Sequence, residues 1–348
     1  MNVRMMLAFV LALAMAAPAL AQSGRKLGLG DQAPGLDIEE WVKGGETTIQ
    51  AGNVYVVECW ATWCGPCRKA IPHLSDLQDR YKSRGVNIIG VSDEEVAKVK
   101  RFVQANDRTM RYHVAVDRRS STKRAWMQAA GQKGIPTAFI VDRKGKIQFI
   151  GHPMSDDFDR VLGLVVKGRY DAKMFDKAEP LMRQIDSTRR ARNWRMCQKM
   201  MDEVIAIDSH VFAGMNLEKF EMMLVDMDNR EMAYEFAKKI IKDYAGDVEL
   251  LGELAAKIAT DPVIPDEKRD MSVAIAAAET AAKTANPDDP AAKAVQALVH
   301  FHAGNVDKAV SMQRQAYFIA HPDEKPDYRR VLETYREAQQ RAEANIGG

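Results

Sequence analysis

Trp60-Ala61-Thr62-Trp63-Cys64-Gly65-Pro66-Cys67 places a C-x-x-C pair where the hydrophobic pattern of the chain changes period. Upstream, Asn53-Val54-Tyr55-Val56-Val57-Glu58-Cys59-Trp60 is dominated by β-branched and aromatic residues and predicts a buried strand. Downstream, from Arg68 to Tyr81, Ala70, Ile71, Leu74, Leu77 and Tyr81 recur with helical spacing. The pair therefore lies at a strand-to-helix junction. There the free N–H groups of the first helical turn, with the positive end of the helix dipole, stabilise a thiolate at Cys64. A thiolate is the nucleophile of disulfide exchange. Gly65 and Pro66 keep the turn tight, and the missing N–H of Pro66 costs little in a first turn. Half of a zinc knuckle has the same spacing, but a tetrahedral site needs two further ligands. His73 is the only histidine within reach in sequence and no second cysteine pair exists, so no metal is assigned.

This segment resembles the active site of the thioredoxin superfamily. Its W-A-T-W-C-G-P-C form is most similar to the TlpA/ResA-like extracytoplasmic thiol–disulfide oxidoreductases, which carry an AhpC/TSA–redoxin-type domain. Supporting matches occur in order. Gly30-Asp31-Gln32-Ala33-Pro34 is similar to the G-D-x-A-P opening of that group, and Pro72 falls where such proteins kink their first active-site helix. Gly134-Ile135-Pro136-Thr137 resembles the loop that bears the cis-proline, before a strand Ala138–Asp142. The resemblance covers residues 28–168, under half of the chain. It implies an α/β thioredoxin-like fold, a central mixed sheet flanked by helices. It also implies that Cys64 attacks a substrate disulfide and Cys67 resolves the mixed disulfide. Trp63, Gly65, Pro66, Ile135 and a cis Pro136 would then form the substrate-contacting surface.

Glu58 interrupts an apolar strand six residues before Cys64, where thioredoxins carry a buried acid. Buried, its carboxyl would have a raised pKa and take the proton from Cys67. The alternative is a strand-end acid facing water, which its neighbours Val56, Val57 and Cys59 disfavour. Many ResA-like proteins place a functional acid three residues after the second cysteine. That position here is Ala70, a departure that leaves proton handling to Glu58 or water. Cys59 points to the other face of the strand and reads as a small buried hydrophobe. Peroxiredoxins use P-x-x-x-S/T-x-x-C; counting back from Cys64 gives Ala61 and Val57, so peroxidase activity is not expected.

Residues 1–21 read as a signal peptide: Arg4 near the start, an apolar run from Met5 to Ala17, then Ala19-Leu20-Ala21. The run is shorter than the ~20 residues of a membrane span, and the alternative is an uncleaved N-terminal anchor. The expected location is the periplasm or another oxidising, extracytoplasmic space. With only Cys59, Cys64, Cys67 and Cys197, the chain is no disulfide-dense scaffold. The 348 residues suggest two domains. A net charge of +2 from 50 basic and 48 acidic residues lacks the basic stripe of a nucleic-acid binder.

Beyond Lys167 long amphipathic helices take over, and residues 169–348 are expected to form an all-α domain. Breaks at Asp208-Ser209, Ala245-Gly246-Asp247, Asn286–Pro290 and His321-Pro322-Asp323 have the spacing of helical-pair repeats. The unit from Ala297 through Gly304-Asn305 and Ala309 to Ala316 resembles a tetratricopeptide repeat, with most of that family's Trp and Tyr positions missing. Such a TPR-like array would offer a surface for a protein partner; a plain stabilising bundle is the alternative. The pairs Met200-Met201 and Met222-Met223 read as gap-filling core residues, and Cys197 as an inert core thiol. His300 and His302 do not share a helix face and make a poor metal pair.

Together these expectations describe a secreted thiol–disulfide oxidoreductase acting on protein disulfides. The Gly-Pro dipeptide resembles reducing members, which implies a membrane thiol donor as electron source. No cofactor and no nucleic acid are implied. A second reading is a binding or adaptor protein in which the helical array acts and the thioredoxin-like part is a scaffold.

Overall fold

The computed structural model describes residues 26–346; the expected signal peptide lies outside the described residues. The first half runs β1 (Ile38–Lys43), β2 (Val54–Trp60), α1 (Gly65–Tyr81), β3 (Val86–Ser92), α2 (Val96–Ala105), β4 (His113–Asp117), a short turn of helix α3 (Ser121–Lys123), β5 (Thr137–Val141), β6 (Ile147–Gly151) and α4 (Asp156–Val166). The strands form one mixed sheet in the order β1-β4-β3-β2-β5-β6, with β2 parallel to β3 and antiparallel to β5.

Every residue of β2 is buried, because the sheet is covered on both faces. Side chains alternate along a strand. Val54, Val56 and Trp60 therefore pack with α1, α2 and α4, whereas Tyr55, Val57 and Cys59 meet Trp126 and Met127 on the opposite face. This explains the continuous apolar run in the sequence, with Glu58 as its single charged member. α1 begins at Gly65, and its buried stripe of Cys67, Ala70, Ile71, Leu74 and Leu77 follows the expected spacing. Pro72 lies inside this helix. The mixed sheet flanked by helices matches the α/β architecture that the resemblance implied.

The second half is helical: α5 (Ala172–Arg190), α6 (Trp194–Ile207), α7 (Met215–Glu221), α8 (Arg230–Asp243), α9 (Val248–Thr260), α10 (Met271–Thr284), α11 (Pro290–His302), α12 (Val306–Ile319) and α13 (Lys325–Ile346). Asp171, Asn193, Asn229, Asp247, Asp270 and Asp289 accept backbone N–H bonds at the N-termini of α5, α6, α8, α9, α10 and α11. Consecutive helices pack on one another, α5 on α6, α9 on α10, α11 on α12 and α12 on α13. Cys197, Met200, Met201 and Met222 are core residues between α5, α6 and the segment after α7. No described helix is long and apolar enough to cross a membrane.

Ion pairs tie the first half, and the linker that follows α4, to the helices. Arg169, 3% exposed, reaches Asp247 at 2.8 Å and Glu253 at 3.3 Å. Lys167 also pairs with Glu253, and Arg84 meets Glu249 at 3.0 Å. Arg143 donates to the Val166 carbonyl at 2.8 Å and the Arg84 carbonyl at 3.0 Å, tying the end of α4 to the turn before β3.

Candidate active site

Cys64 is the N-cap residue of α1, with an extended backbone (φ −78°, ψ 109°) and its Sγ accepting the Cys67 N–H at 3.1 Å. The first helical turn thus already directs an N–H at this sulfur, the arrangement that favours a thiolate once the bond is reduced. Cys64 and Cys67 form a disulfide with their Cα atoms 5.3 Å apart. Both cysteines are buried, while Gly65 and Pro66 between them are exposed.

The Ile135–Pro136 peptide is cis, as the sequence led us to expect, and the Ile135 carbonyl oxygen lies 3.7 Å from Cys64 Sγ. Trp63, 69% exposed, stands beside the disulfide. A cleft of about 370 Å³ opens between Trp63 and Ile135, with Cys59, Val91 and Met127 among its walls. These residues come together from the β2–α1 junction and from the loop before β5, over 70 residues apart in sequence, because β2 and β5 are neighbours.

Glu58 is buried, and burial pushes its carboxyl up to about 8. Neither carboxylate oxygen has a hydrogen-bond partner. It sits in register with Gly90 of β3 and Ala138 of β5, on the face of β2 that also carries Trp60. At neutral pH this carboxyl holds a proton, and it can exchange that proton within the pH range where thiols titrate. Ala70, where many ResA-like proteins have an acid, is fully buried.

Cys59 remains a free thiol on the opposite face, paired in register with Thr137. Burial first, and then the negative charges of Glu58, Asp117 and Asp93, push this thiol far above its ordinary range. It stays protonated and is a poor nucleophile. Cys197 is likewise free and buried, remote in the helical half. Among the described residues no group of three or more His, Cys, Asp or Glu could hold a metal ion. His73, the histidine weighed as a ligand beside the cysteine pair, lies 2.9 Å from Asp159.

One residue of the site escapes sequence reasoning. Glu94, just past β3, accepts the Thr62 N–H at 2.5 Å and the Thr62 hydroxyl at 2.9 Å, and pairs with Lys98 at 2.5 Å. Burial works to raise its pKa, but the hydrogen bonds from Lys98 and Thr62 outweigh this and hold it below the usual value. Glu94 therefore remains a carboxylate and pins the loop two residues before Cys64.

Residues 29–150 match the AhpC/TSA family. The thiol-disulfide oxidoreductase ResA of Bacillus anthracis is 30% identical over 142 residues, 39% of this chain and 78% of that protein. Protein FixW of Rhizobium leguminosarum is 27% identical over 155 residues, covering 42% of this chain and 69% of FixW. Among solved structures, a thioredoxin family thiol:disulfide interchange protein from Chlorobium tepidum TLS aligns over 40% of this chain and 98% of its own, with 28% identity and a TM-score of 0.35.

Proposed function

This chain belongs to the ResA-like thiol–disulfide oxidoreductases, and from that membership we propose that it reduces protein disulfides outside the cytoplasm through a Cys64/Cys67 dithiol–disulfide cycle. The observation that carries the reading is Cys64 Sγ at the N-cap of α1, linked to Cys67 and bordered by Trp63 and the Ile135 carbonyl. In the reduced enzyme, the Cys64 thiolate attacks one sulfur of a substrate disulfide, and the other substrate sulfur leaves as a thiolate. Glu58 takes the Cys67 proton, Cys67 attacks Cys64 Sγ, and the second substrate thiolate departs. The substrate gains two electrons and the enzyme ends as the disulfide described above. A membrane thiol donor then restores the dithiol.

Trp63, Gly65, Pro66, Ile135 and Pro136 form the surface on which the substrate segment lies. The catalytic domain spans residues 28–168 and the TPR-like domain residues 169–348; residues 1–21 are the export signal. The TPR-like domain takes a protein partner. Two features support this role: a groove of about 710 Å³ between α9, α11 and the stretch from Arg80 at the end of α1 to Arg84 in the turn before β3, and the exposed Phe318 and Ile319 on α12. These features also favour the second reading, an adaptor whose helical array does the work. The double variant Cys64→Ser/Cys67→Ser separates the two, since an adaptor keeps its biological role without the thiols.

The test of the catalytic reading is the reduction potential of the Cys64–Cys67 pair, measured by equilibration with dithiothreitol and alkylation of free thiols. A value near the thioredoxin level of about −270 mV supports a donor-dependent reductase. A value nearer about −120 mV assigns a disulfide-forming oxidant instead.

A further inference from the structure

Glu58 does not sit alone in the core. Gly90 lies directly beside it in the parallel β2–β3 register. A Cβ at Gly90 would come within 3.0 Å of Trp60 Nε1 and 3.1 Å of Tyr112 Cε2. The indole N–H and the tyrosine ring therefore close over the bare backbone next to Glu58, in space that any side chain at position 90 would occupy. Trp60 and Tyr112 are both buried in the same core as Cys67. Both Glu58 carboxyl oxygens, Trp60 Nε1 and the Tyr112 hydroxyl are buried without a hydrogen-bond partner.

Buried polar groups are nearly always paired, so several orphans around one point call for an explanation. The set is chemically complementary. An ionised carboxylate only accepts hydrogen bonds, an indole N–H only donates, and a phenol can do either. One buried water, which needs two to four polar partners, would satisfy all three side chains.

We propose that Tyr112 is a positioning residue for the proton carried by Glu58, its hydroxyl steadying the ionised carboxylate through one buried water that Trp60 Nε1 also holds. The proposal rests on the reading of Glu58 as the base for Cys67. Burial, and then the charge of Glu58, push the Tyr112 hydroxyl well above its ordinary range, so Tyr112 keeps its proton and donates. In the sheet register β3 places Gly90 and β5 places Ala138 beside Glu58, and Cys59 follows it on the opposite face. None of these is a charged side chain. Tyr112, from the segment before β4, and the Trp60 indole N–H are the donors able to favour the Glu58 anion.

The experiment loads Cys64 of the reduced protein with 5-thio-2-nitrobenzoate and follows its release by Cys67 as a function of pH, in the wild type, Tyr112→Phe, Glu58→Gln and the double variant. Phenylalanine keeps the buried ring, and urea unfolding checks that the fold is retained. Loss of a hydrogen bond to the charged form should move the Glu58-dependent limb of Tyr112→Phe to higher pH by about one unit. In the Glu58→Gln background the same change should have no effect on the profile. The carboxylic C=O stretch of protonated Glu58, read by difference infrared spectroscopy, should also shift in Tyr112→Phe. A limb and a C=O band that stay in place in Tyr112→Phe, while Glu58→Gln displaces the limb, overturn the role of Tyr112 alone. A limb that survives in Glu58→Gln removes the Glu58 reading and this proposal with it.

Discussion

Glu58 is an ionisable group held in the buried core of the sheet, and this places a load on the folded state. Its carboxyl titrates at about 8 when folded, against an ordinary value of 4.5. Between these values the folded chain binds the extra proton, so stability is fully present below about 4.5 and declines as pH rises toward 8. The shift corresponds to a decline of roughly 3–5 kcal/mol. Urea unfolding at a series of pH values should show this slope in the wild type and not in Glu58→Gln. That variant should be more stable at neutral pH yet resolve mixed disulfides about 10- to 100-fold more slowly. A wild-type stability flat across the window would contradict the buried acid. Glu94 makes the opposite contribution, because it is an anion with several donors. Glu94→Ala orphans the Thr62 N–H, and its loss should cost about 2 kcal/mol in the same assay. Glu58 was legible because one acid in a run of β-branched residues stands out. Glu94 was not, since its partner Thr62 lies 32 residues away and only the placement of β2 beside β3 brings them together.

At the scale of elements, α1 does more than present the cysteines. Gln78, buried on this helix, donates to the Val86 carbonyl at 2.9 Å and accepts the Ile88 N–H at 2.7 Å. These backbone groups lie on the part of β3 that β4 does not reach, because the β3–β4 ladder begins at Ile89. The side-chain amide takes the place of a strand there. Gln78→Leu should therefore cost about 2–3 kcal/mol through the two groups it orphans, and the Ile88 amide should lose protection in hydrogen exchange. β2 and α1 were readable because each follows one period through a fully committed face. β1 was not, since Ile38–Lys43 is an edge strand of half-buried residues with irregular register against β4. In the helical half, each expected break falls between helices, marked by the Asp or Asn that caps the next one at Asp247 and Asp289. The connection over residues 261–270 was missed, although Pro262 and Pro265 end α9 there, because even repeat spacing did not call for a break.

At the scale of the molecule, Arg169 anchors the linker between α4 and α5 on the α9 end of the helical half. Arg169 is nearly inaccessible and faces two carboxylates; Asp247, one of them, also caps α9 through the Leu250 N–H at 2.9 Å. Removing one partner of a buried pair costs about 3–5 kcal/mol, because the other charge is left behind. Arg169→Ala should therefore split calorimetric unfolding into two transitions, whereas substitution of the exposed Lys82, which meets Asp323 at 3.2 Å, should change little. A single unshifted transition in Arg169→Ala would show that the apolar contacts suffice. The clasp also bears on reaction probability. A flexible tether would let a captured client sample many orientations, and its effective concentration at the sulfur would fall as the tether lengthened. With Arg169 fixing the helices against the end of α4, a client seated on them meets Cys64 at one set distance and angle. Clients whose disulfide matches that reach should be reduced at an effective molarity that free peptides of the same sequence do not attain.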